Sequence, residues 1–424
     1  MNKAIELFGK YIYTNAPSNP RKTLKTLSFI YNASGLMCKY FPTKKLLPAR
    51  QYMQWAAADS TVKSLKSPAN SVLVSLFTPC EIIHSMGMNT MFPEALACYL
   101  AAAGSERIFI EKAENSGISN TLCSYHKAMI GMAETGVLPK PCCIVNTTLA
   151  CDSNQLSFRE VANKYKVEQF VIDIPQNNTQ ANIDYVTAQL KDCVKFIEKN
   201  SGKSFDEAVL KSVVEKSKKT VENYKRILEL RSTRYLSDEM TSEMLSVFAL
   251  HVMLGTDEAL KYTENFLIQL QKQPERKKGV RLLWVHTLPY WQDSLRNLLN
   301  FNERCEIAAC DFTFDCLIDT DESDPYKFMA KRLIMNTFNG GGERRIEAIK
   351  KYARLLNADG AICYCHWGCK QTAGNANLIK SELEGIGLPT LILDGDGCDS
   401  NNVSNGQSLT RAEAFLEILE DNKK

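Results

Sequence analysis

Two hydrophobic periods alternate along the chain. Short, mainly apolar runs occur at Val72 to Phe77, from Pro141 onward, at Glu168 to Pro175, from Gly279 onward, at Glu306 to Ala309, at Gly360 to Tyr364 and at Pro389 to Leu393. Runs of this length suit strands covered on both faces. Segments with helical spacing lie between them: Trp291 to Leu299, Pro325 to Ile334, Gly342 to Leu356, Asn375 to Glu384 and a last one from Thr410. Such alternation predicts a mostly parallel sheet. Arg107-Ile-Phe-Ile is a further short strand candidate. Asp184 to Asn200, Phe205 to Arg231, Thr241 to Leu254 and Asp257 to Gln273 read as long amphipathic helices with solvated charged faces. Residues up to about 70 are helical and irregular, broken by Pro17, Pro20, Pro42 and Pro48. The expected division is a helical segment at 1–70, a first α/β domain at 71–180, a helical region at 181–275 and a second α/β domain at 276–424.

Composition narrows this picture only a little. With 424 residues, 45% hydrophobic and 23% charged, the chain fits a soluble globular protein of several domains. No apolar run reaches the roughly 18–20 residues that cross a bilayer. The N-terminus carries Glu6 and lacks the apolar core of a secretory signal, so a cytoplasmic location is expected. A net charge of +3 and a single basic run, Arg276-Lys-Lys, give no nucleic-acid footprint; a solvated linker accounts for the run.

Fifteen cysteines change the picture more. Structural disulfides are disfavoured in the cytoplasm, and most free cysteines are small buried hydrophobes. Cys98, Cys193, Cys142, Cys143 and Cys363 read that way, and Cys38 gives no signal. The stretch Ala361-Ile-Cys-Tyr-Cys-His-Trp-Gly-Cys-Lys-Gln-Thr372 reads as strand, loop and helix start. A cysteine at a helix start meets the positive end of the helix dipole, which favours the thiolate. Cys123 stands near another helix start. Cys151 follows the carboxyl end of a strand, where open α/β sheets bind ligands. Zinc, iron, an iron–sulfur cluster and nucleophilic chemistry all remain open at this point, although a structural zinc site usually shows two close pairs and only one tight group exists here. Thr78-Pro79 reads as N-cap and first position of a helix that carries Cys80, Glu81 and His84 in its first turns. By itself Glu81 is an ordinary dipole partner. Asn339-Gly-Gly-Gly lacks the P-loop Lys-Ser/Thr and reads equally as a helix-entry turn.

Several segments together resemble the 2-hydroxyacyl-CoA dehydratase family, which is related to benzoyl-CoA reductases and double-cubane cluster proteins. They are Phe77-Thr-Pro-Cys-Glu-Ile-Ile-His-Ser-Met-Gly87, Leu122-Cys-Ser-Tyr125, Cys151-Asp-Ser-Asn154, Cys365-His-Trp-Gly-Cys-Lys-Gln371, Asp394-Gly-Asp-Gly397 and Gly406 to Phe415. The resemblance spans about Val72 to Leu419. It implies two flavodoxin-like (Rossmann-like) α/β domains with extra helices and a [4Fe-4S] cluster between them, held by Cys123, Cys151 and Cys369, with Cys365 in reserve. It implies radical removal of water from a 2-hydroxyacyl-CoA, started by one electron from an ATP-dependent activator with its own cluster, and a homologous second subunit. Glu81 matches a family glutamate near the active site, which implies an acid/base or orienting role. His366 and Lys370 flank Cys369 and are candidates to donate to cluster sulfurs or to CoA phosphate. Met335 to Gly341 lacks the Cys-x-Cys expected of a double cluster, which leaves only Cys310 and Cys316 to argue for one. The alternatives are an ATP-coupled reductase and a non-catalytic, cluster-bearing partner subunit.

Overall fold

The structure is a computed structural model that describes residues 3–276 and 278–423; Lys277, in the basic run, lies outside the described residues. Eight strands form two parallel sheets. The first contains β1 (Ser71–Val74), β2 (Asn89–Met91), β3 (Cys143–Thr147) and β4 (Gln169–Ile172), in the order β2-β1-β3-β4. The second contains β5 (Val280–Val285), β6 (Cys305–Cys310), β7 (Gly360–His366) and β8 (Thr390–Gly395), in the order β6-β5-β7-β8. Both sheets therefore repeat one topology. It matches the first four positions of the doubly wound order 2-1-3-4-5; among the described residues neither sheet has a fifth strand. Every residue of β1, β3 and β5 is buried, as expected of a parallel sheet covered on both faces.

Between the sheets in sequence run four helices, Gln180–Ser201, Glu207–Arg231, Met240–Leu250 and Asp257–Gln271. Three begin at side-chain caps: Thr179 accepts from the Asn182 N–H, Asp206 from Ala208 and Thr256 from Ala259. At the N-terminus, Lys3–Asn15, Pro20–Tyr40 and Pro48–Lys66 are helical. Among the described residues no helix is long and apolar enough to cross a membrane.

Four local expectations need correction. Arg107-Ile-Phe-Ile opens the helix Arg107–Asn115, not a strand. Its buried residues, Phe109, Ile110 and Ala113, have helical spacing, and the Phe109 carbonyl packs where a Cβ on Gly131 of the next helix would fall. Thr78 does not cap a helix. Its Oγ1 accepts from the Ser75 N–H and donates to the Val145 carbonyl, so it closes a turn after β1, and the helix begins at Glu81. The third concerns the Thr241 to Leu254 segment, whose helix stops at Leu250. The final helix begins at Asn405, ahead of Thr410. Strand β2 is three residues long and gives no period to read.

A buried cation ties the N-terminal helices to this core. The Arg50 side chain is fully buried; it donates to Asp238, to Glu243 (2.8 Å), to Tyr262 (2.8 Å) and to Ser246. Glu243 also accepts from Arg231 (2.9 Å), which in turn donates to the Ile307 carbonyl of β6. Removing one member of such a network leaves the others buried without a counter-charge. Arg50→Met should therefore lower stability by roughly 3–5 kcal/mol, read as a shift of the urea midpoint.

Candidate metal centre where the two sheets meet

Loops from both sheets converge on one site, where Cys123 is buried and Cys151 and Cys369 are half-buried. Cys123, Cys151 and Cys369 are the N-cap residues of the helices Ser124–Thr135, Asp152–Tyr165 and Lys370–Ala373. In none of them does the side chain cap its own helix, so each sulfur is free to face elsewhere. All three are free thiols. Each faces an imidazole Nε2: Cys123 faces His366 at 3.2 Å, Cys151 faces His126 at 3.5 Å and Cys369 faces His286 at 3.4 Å. Three of the five histidines in the chain are used this way.

The helix carrying Cys123 is docked onto the second sheet. Ser124 Oγ donates to Asp396 Oδ1, and Tyr125 Oη donates to the Gly397 carbonyl at 2.8 Å. The two signature segments, Leu122 to Tyr125 and Asp394 to Gly397, are thus the two halves of one junction. A Cβ at Gly397 would stand 2.5 Å from Tyr125 Oη, so a side chain there would force the Tyr125 hydroxyl to shift. The Cys369 loop presses on the same point. Gly368 has φ +79°, and a Cβ there would lie 2.7 Å from the Cys123 backbone.

A buried ion pair fixes the remaining members. Asp311 Oδ1 accepts from the His286 N–H at 2.8 Å, and its Oδ2 accepts from Arg345 Nε at 2.9 Å. Arg345 also donates to Gln371 and Thr372, just after Cys369. Two residues at the site hold left-handed backbone, Ala150 (φ 67°) before Cys151 and His286 (φ 79°).

Burial decides the protonation states. It pushes the Cys123 thiol well above its usual range, with Cys151, Cys369 and Asp396 adding to the effect, and it pushes Cys151 up to about 11, with Cys369 adding. The helix termini do not overcome this at Cys123 and Cys151. Burial also lowers the histidines: His126 to about 4, His286 well below its usual value, aided by Arg345, and His366 downward despite Asp396. Near pH 7, Cys123 and Cys151 are thiols and the three rings are neutral. That state suits a site awaiting a cation better than an activated nucleophile, because a metal supplies the charge that drives thiols to thiolates.

Cys365 pairs across the sheet with Asp394 and is pushed up to about 11 by burial and by that carboxylate. Lys370 is exposed, whereas His366 is buried, so the two flanking residues face opposite ways. Glu81 is fully buried, and both its oxygens accept from Arg332, one at 2.9 Å. Burial alone would raise its carboxyl; Arg332 outweighs that and holds it below the usual glutamate range. Beside Arg332 is a cavity of about 20 Å³, also lined by Phe77, His251 and Cys316. His251, Asp315 and Cys316 bring possible ligand atoms within 4.8 Å of one another, although both His251 nitrogens already bond to Val247 and Asp315. An aromatic layer joins the cavity to the cysteines: Phe77 contacts His251 and Phe338, Phe338 stacks on Phe312 at 4.7 Å, and Phe312 contacts His286. The glycine turn at 339–342 enters the helix Gly342–Leu355, with Asn339 Nδ2 donating to the Pro175 and Ile334 carbonyls, and so acts as a helix-entry turn.

Reading the sequence missed His126, His286, Asp311, Arg332 and Arg345. His286 and Asp311 carried a usable signal, because they follow β5 and β6 at the carboxyl end of the sheet, as Cys151 follows β3.

These features define a two-sheet α/β protein with a largely enclosed cysteine–histidine centre. The chain belongs to the family of the 2-hydroxyglutaryl-CoA dehydratase D-component, whose model matches residues 75–419. It is similar to the (R)-phenyllactyl-CoA dehydratase alpha subunit of Clostridium sporogenes, at 24% identity over 80% of this chain and 87% of that one. It is also similar to the (R)-2-hydroxyisocaproyl-CoA dehydratase alpha subunit of Clostridioides difficile, at 24% identity over 82% and 89%. A benzoyl-CoA reductase subunit of Thauera aromatica is 22% identical over 83% and 89%.

Two predictions follow from the geometry. In metal-free protein, alkylation of Cys151 followed by mass spectrometry should accelerate with pH around a midpoint near 11, not near the ordinary thiol value of about 8.5. Gly368→Ala should destabilise the Cys369 loop by roughly 1–3 kcal/mol through backbone strain alone, and anaerobically purified protein should carry less metal than wild type.

Proposed function

We propose that this chain is the iron–sulfur subunit of a 2-hydroxyacyl-CoA dehydratase, with Cys123, Cys151 and Cys369 as protein ligands of a [4Fe-4S] cluster. The observation that carries the reading is the convergence of three free cysteines from three loops, each against a buried histidine, in a chain of the dehydratase family. The donor set suits such a group: thiols that a cation would deprotonate, and neutral rings beside them. When bound, a cluster with one open iron supplies one-electron transfer and a Lewis-acid position for a substrate oxygen.

The residues of the chain do the rest. The aromatic layer of Phe77, Phe312 and Phe338 keeps water from the histidine side of the centre. Glu81 acts as a positioning residue, holding Arg332 beside the small cavity through both carboxylate oxygens. Relatives named as alpha subunits support a homologous second subunit. An ATP-dependent activator, an acyl-CoA substrate and a cytoplasmic location complete the proposal.

A second reading is an ATP-coupled reductase of a CoA thioester, favoured by the similarity to the benzoyl-CoA reductase of Thauera aromatica. A double cluster is less well supported: Cys310 and Cys316 are buried and already donate to the His286 and Leu250 carbonyls. Turnover on catalytic amounts of reductant identifies a dehydratase, and stoichiometric consumption identifies a reductase.

Iron and acid-labile sulfide in anaerobically purified protein test the cluster directly. Wild type should hold about four of each per chain, and Cys369→Ser should lose iron and activity together; full retention in that variant would exclude Cys369. Glu81→Gln should cost roughly 3 kcal/mol or more, because Arg332 stays buried without its partner. The loss should be greatest above the ordinary glutamate range and shrink as pH falls through the depressed value of Glu81, since the ion pair stabilises only while the carboxylate is charged. Full stability with lost turnover would instead make Glu81 a direct acid or base.

A further inference from the structure

The three histidines are not equivalent, and hydrogen bonding fixes the tautomer of two of them. His366 Nδ1 accepts from the Gly397 backbone N–H at 2.9 Å. A backbone amide can only donate, so Nδ1 carries no hydrogen. Asp396 Oδ1 lies 3.5 Å from the same nitrogen, but it is already engaged by Ser124 Oγ and by the N–H groups of Cys398 and Asp399. A neutral His366 must then carry its hydrogen on Nε2, which stands 3.2 Å from Cys123 Sγ, the shortest of the three sulfur–imidazole contacts. The ring is almost fully buried, packed against Tyr125 at 5.2 Å and His286 at 6.0 Å, and cannot turn without losing both bonds.

His126 presents the opposite face. The Ser157 hydroxyl donates its one hydrogen to the Ser153 carbonyl at 2.6 Å, so it must accept from His126 Nδ1 at 2.8 Å. The Nε2 of a neutral His126 therefore offers a lone pair to Cys151, 3.5 Å away.

We propose that His366 is a positioning residue that donates a fixed N–H···S hydrogen bond to Cys123 and thereby raises the reduction potential of the cluster. The proposal rests on the cluster reading above. Reduction adds negative charge to the cluster and its sulfur ligands, and an N–H dipole aimed at one sulfur stabilises the reduced state more than the oxidised one. The Gly397 amide is what keeps that hydrogen on Nε2, so the second sheet's Asp-Gly turn acts on the cluster through one imidazole.

The test uses the full chain, purified without oxygen, as wild type, His366→Leu and His366→Gln. Iron content and the midpoint potential from EPR-monitored titration with an external one-electron reductant are measured for each. With iron retained, His366→Leu should move the potential to more negative values. His366→Gln, whose amide keeps a donor, should stay closer to wild type. Coincident potentials in all three proteins would overturn the proposal, as would a glutamine variant displaced as far as the leucine one. Should His366→Leu lose its iron, the glutamine variant and the tautomers decide. In ¹⁵N-histidine spectra of the metal-free chain, His366 should carry its hydrogen on Nε2 and His126 on Nδ1; a hydrogen on Nδ1 of His366 would overturn the proposal. A wild-type protein that binds no iron would refute the cluster reading instead, while the tautomers would still report on the hydrogen bond.

Discussion

The site depends on the Gly397 peptide. Its carbonyl accepts from Tyr125 and from Trp291, and its N–H donates to His366. The neighbouring Asp396 carboxylate accepts from Ser124 and from two amides of its own turn. Cys123 belongs to the connection between strands of the first sheet, and Cys369 follows a strand of the second. Neither sheet can set the distance between them alone. The junction sets it, and a side chain at Gly397 would displace the Tyr125 hydroxyl from it.

Charge is distributed in a consistent way around that junction. At the centre, Cys123 and Cys151 are uncharged thiols facing uncharged rings, so burying them incurs no ionic desolvation cost. Around it stand full ion pairs, Arg345–Asp311 and Arg332–Glu81, with both partners buried. Buried pairs of this kind add little net stability compared with apolar packing, and breaking one is costly. Their value lies in geometry. Arg345–Asp311 holds the His286 backbone and the residues after Cys369 in one network. Arg332–Glu81 links the first helix after β1 to the helix Pro325–Ile334 of the other half.

Much of this was legible in the sequence, for physical reasons that also explain what was not. Mainly apolar runs located seven of the eight strands, because a parallel strand covered on both faces is mostly apolar. The helix Pro325–Ile334 was read at its true bounds, since Asp324 caps it and proline opens it. The three cysteines stood out as residues beside turns. Of their histidine partners only His366 was singled out, as a neighbour of Cys369; its pairing with Cys123, 243 positions away, was not legible, nor were those of His126 and His286, which lie 25 and 83 positions from their cysteines. A helix start is visible in sequence, whereas the burial that outweighs it is a property of the assembled junction. Arg107-Ile-Phe-Ile failed differently: four residues are too few to separate a strand from one face of a helix.

Backbone strain completes the account of why the centre is rigid. Ala150 and His286 hold left-handed conformations that cost of order 1–3 kcal/mol each for residues with a side chain. Such conformations persist only where the surroundings over-determine them. At His286 the agent is identifiable: Asp311 accepts its N–H, and Arg345 holds Asp311. The strain and the ion pair therefore belong together. An apolar replacement of Asp311 and Arg345 could match the pair in packing, yet it would free His286 to relax to an ordinary backbone and withdraw its ring from Cys369. The fold accepts a costly pair and a costly turn at this point because together they deliver an imidazole to a sulfur.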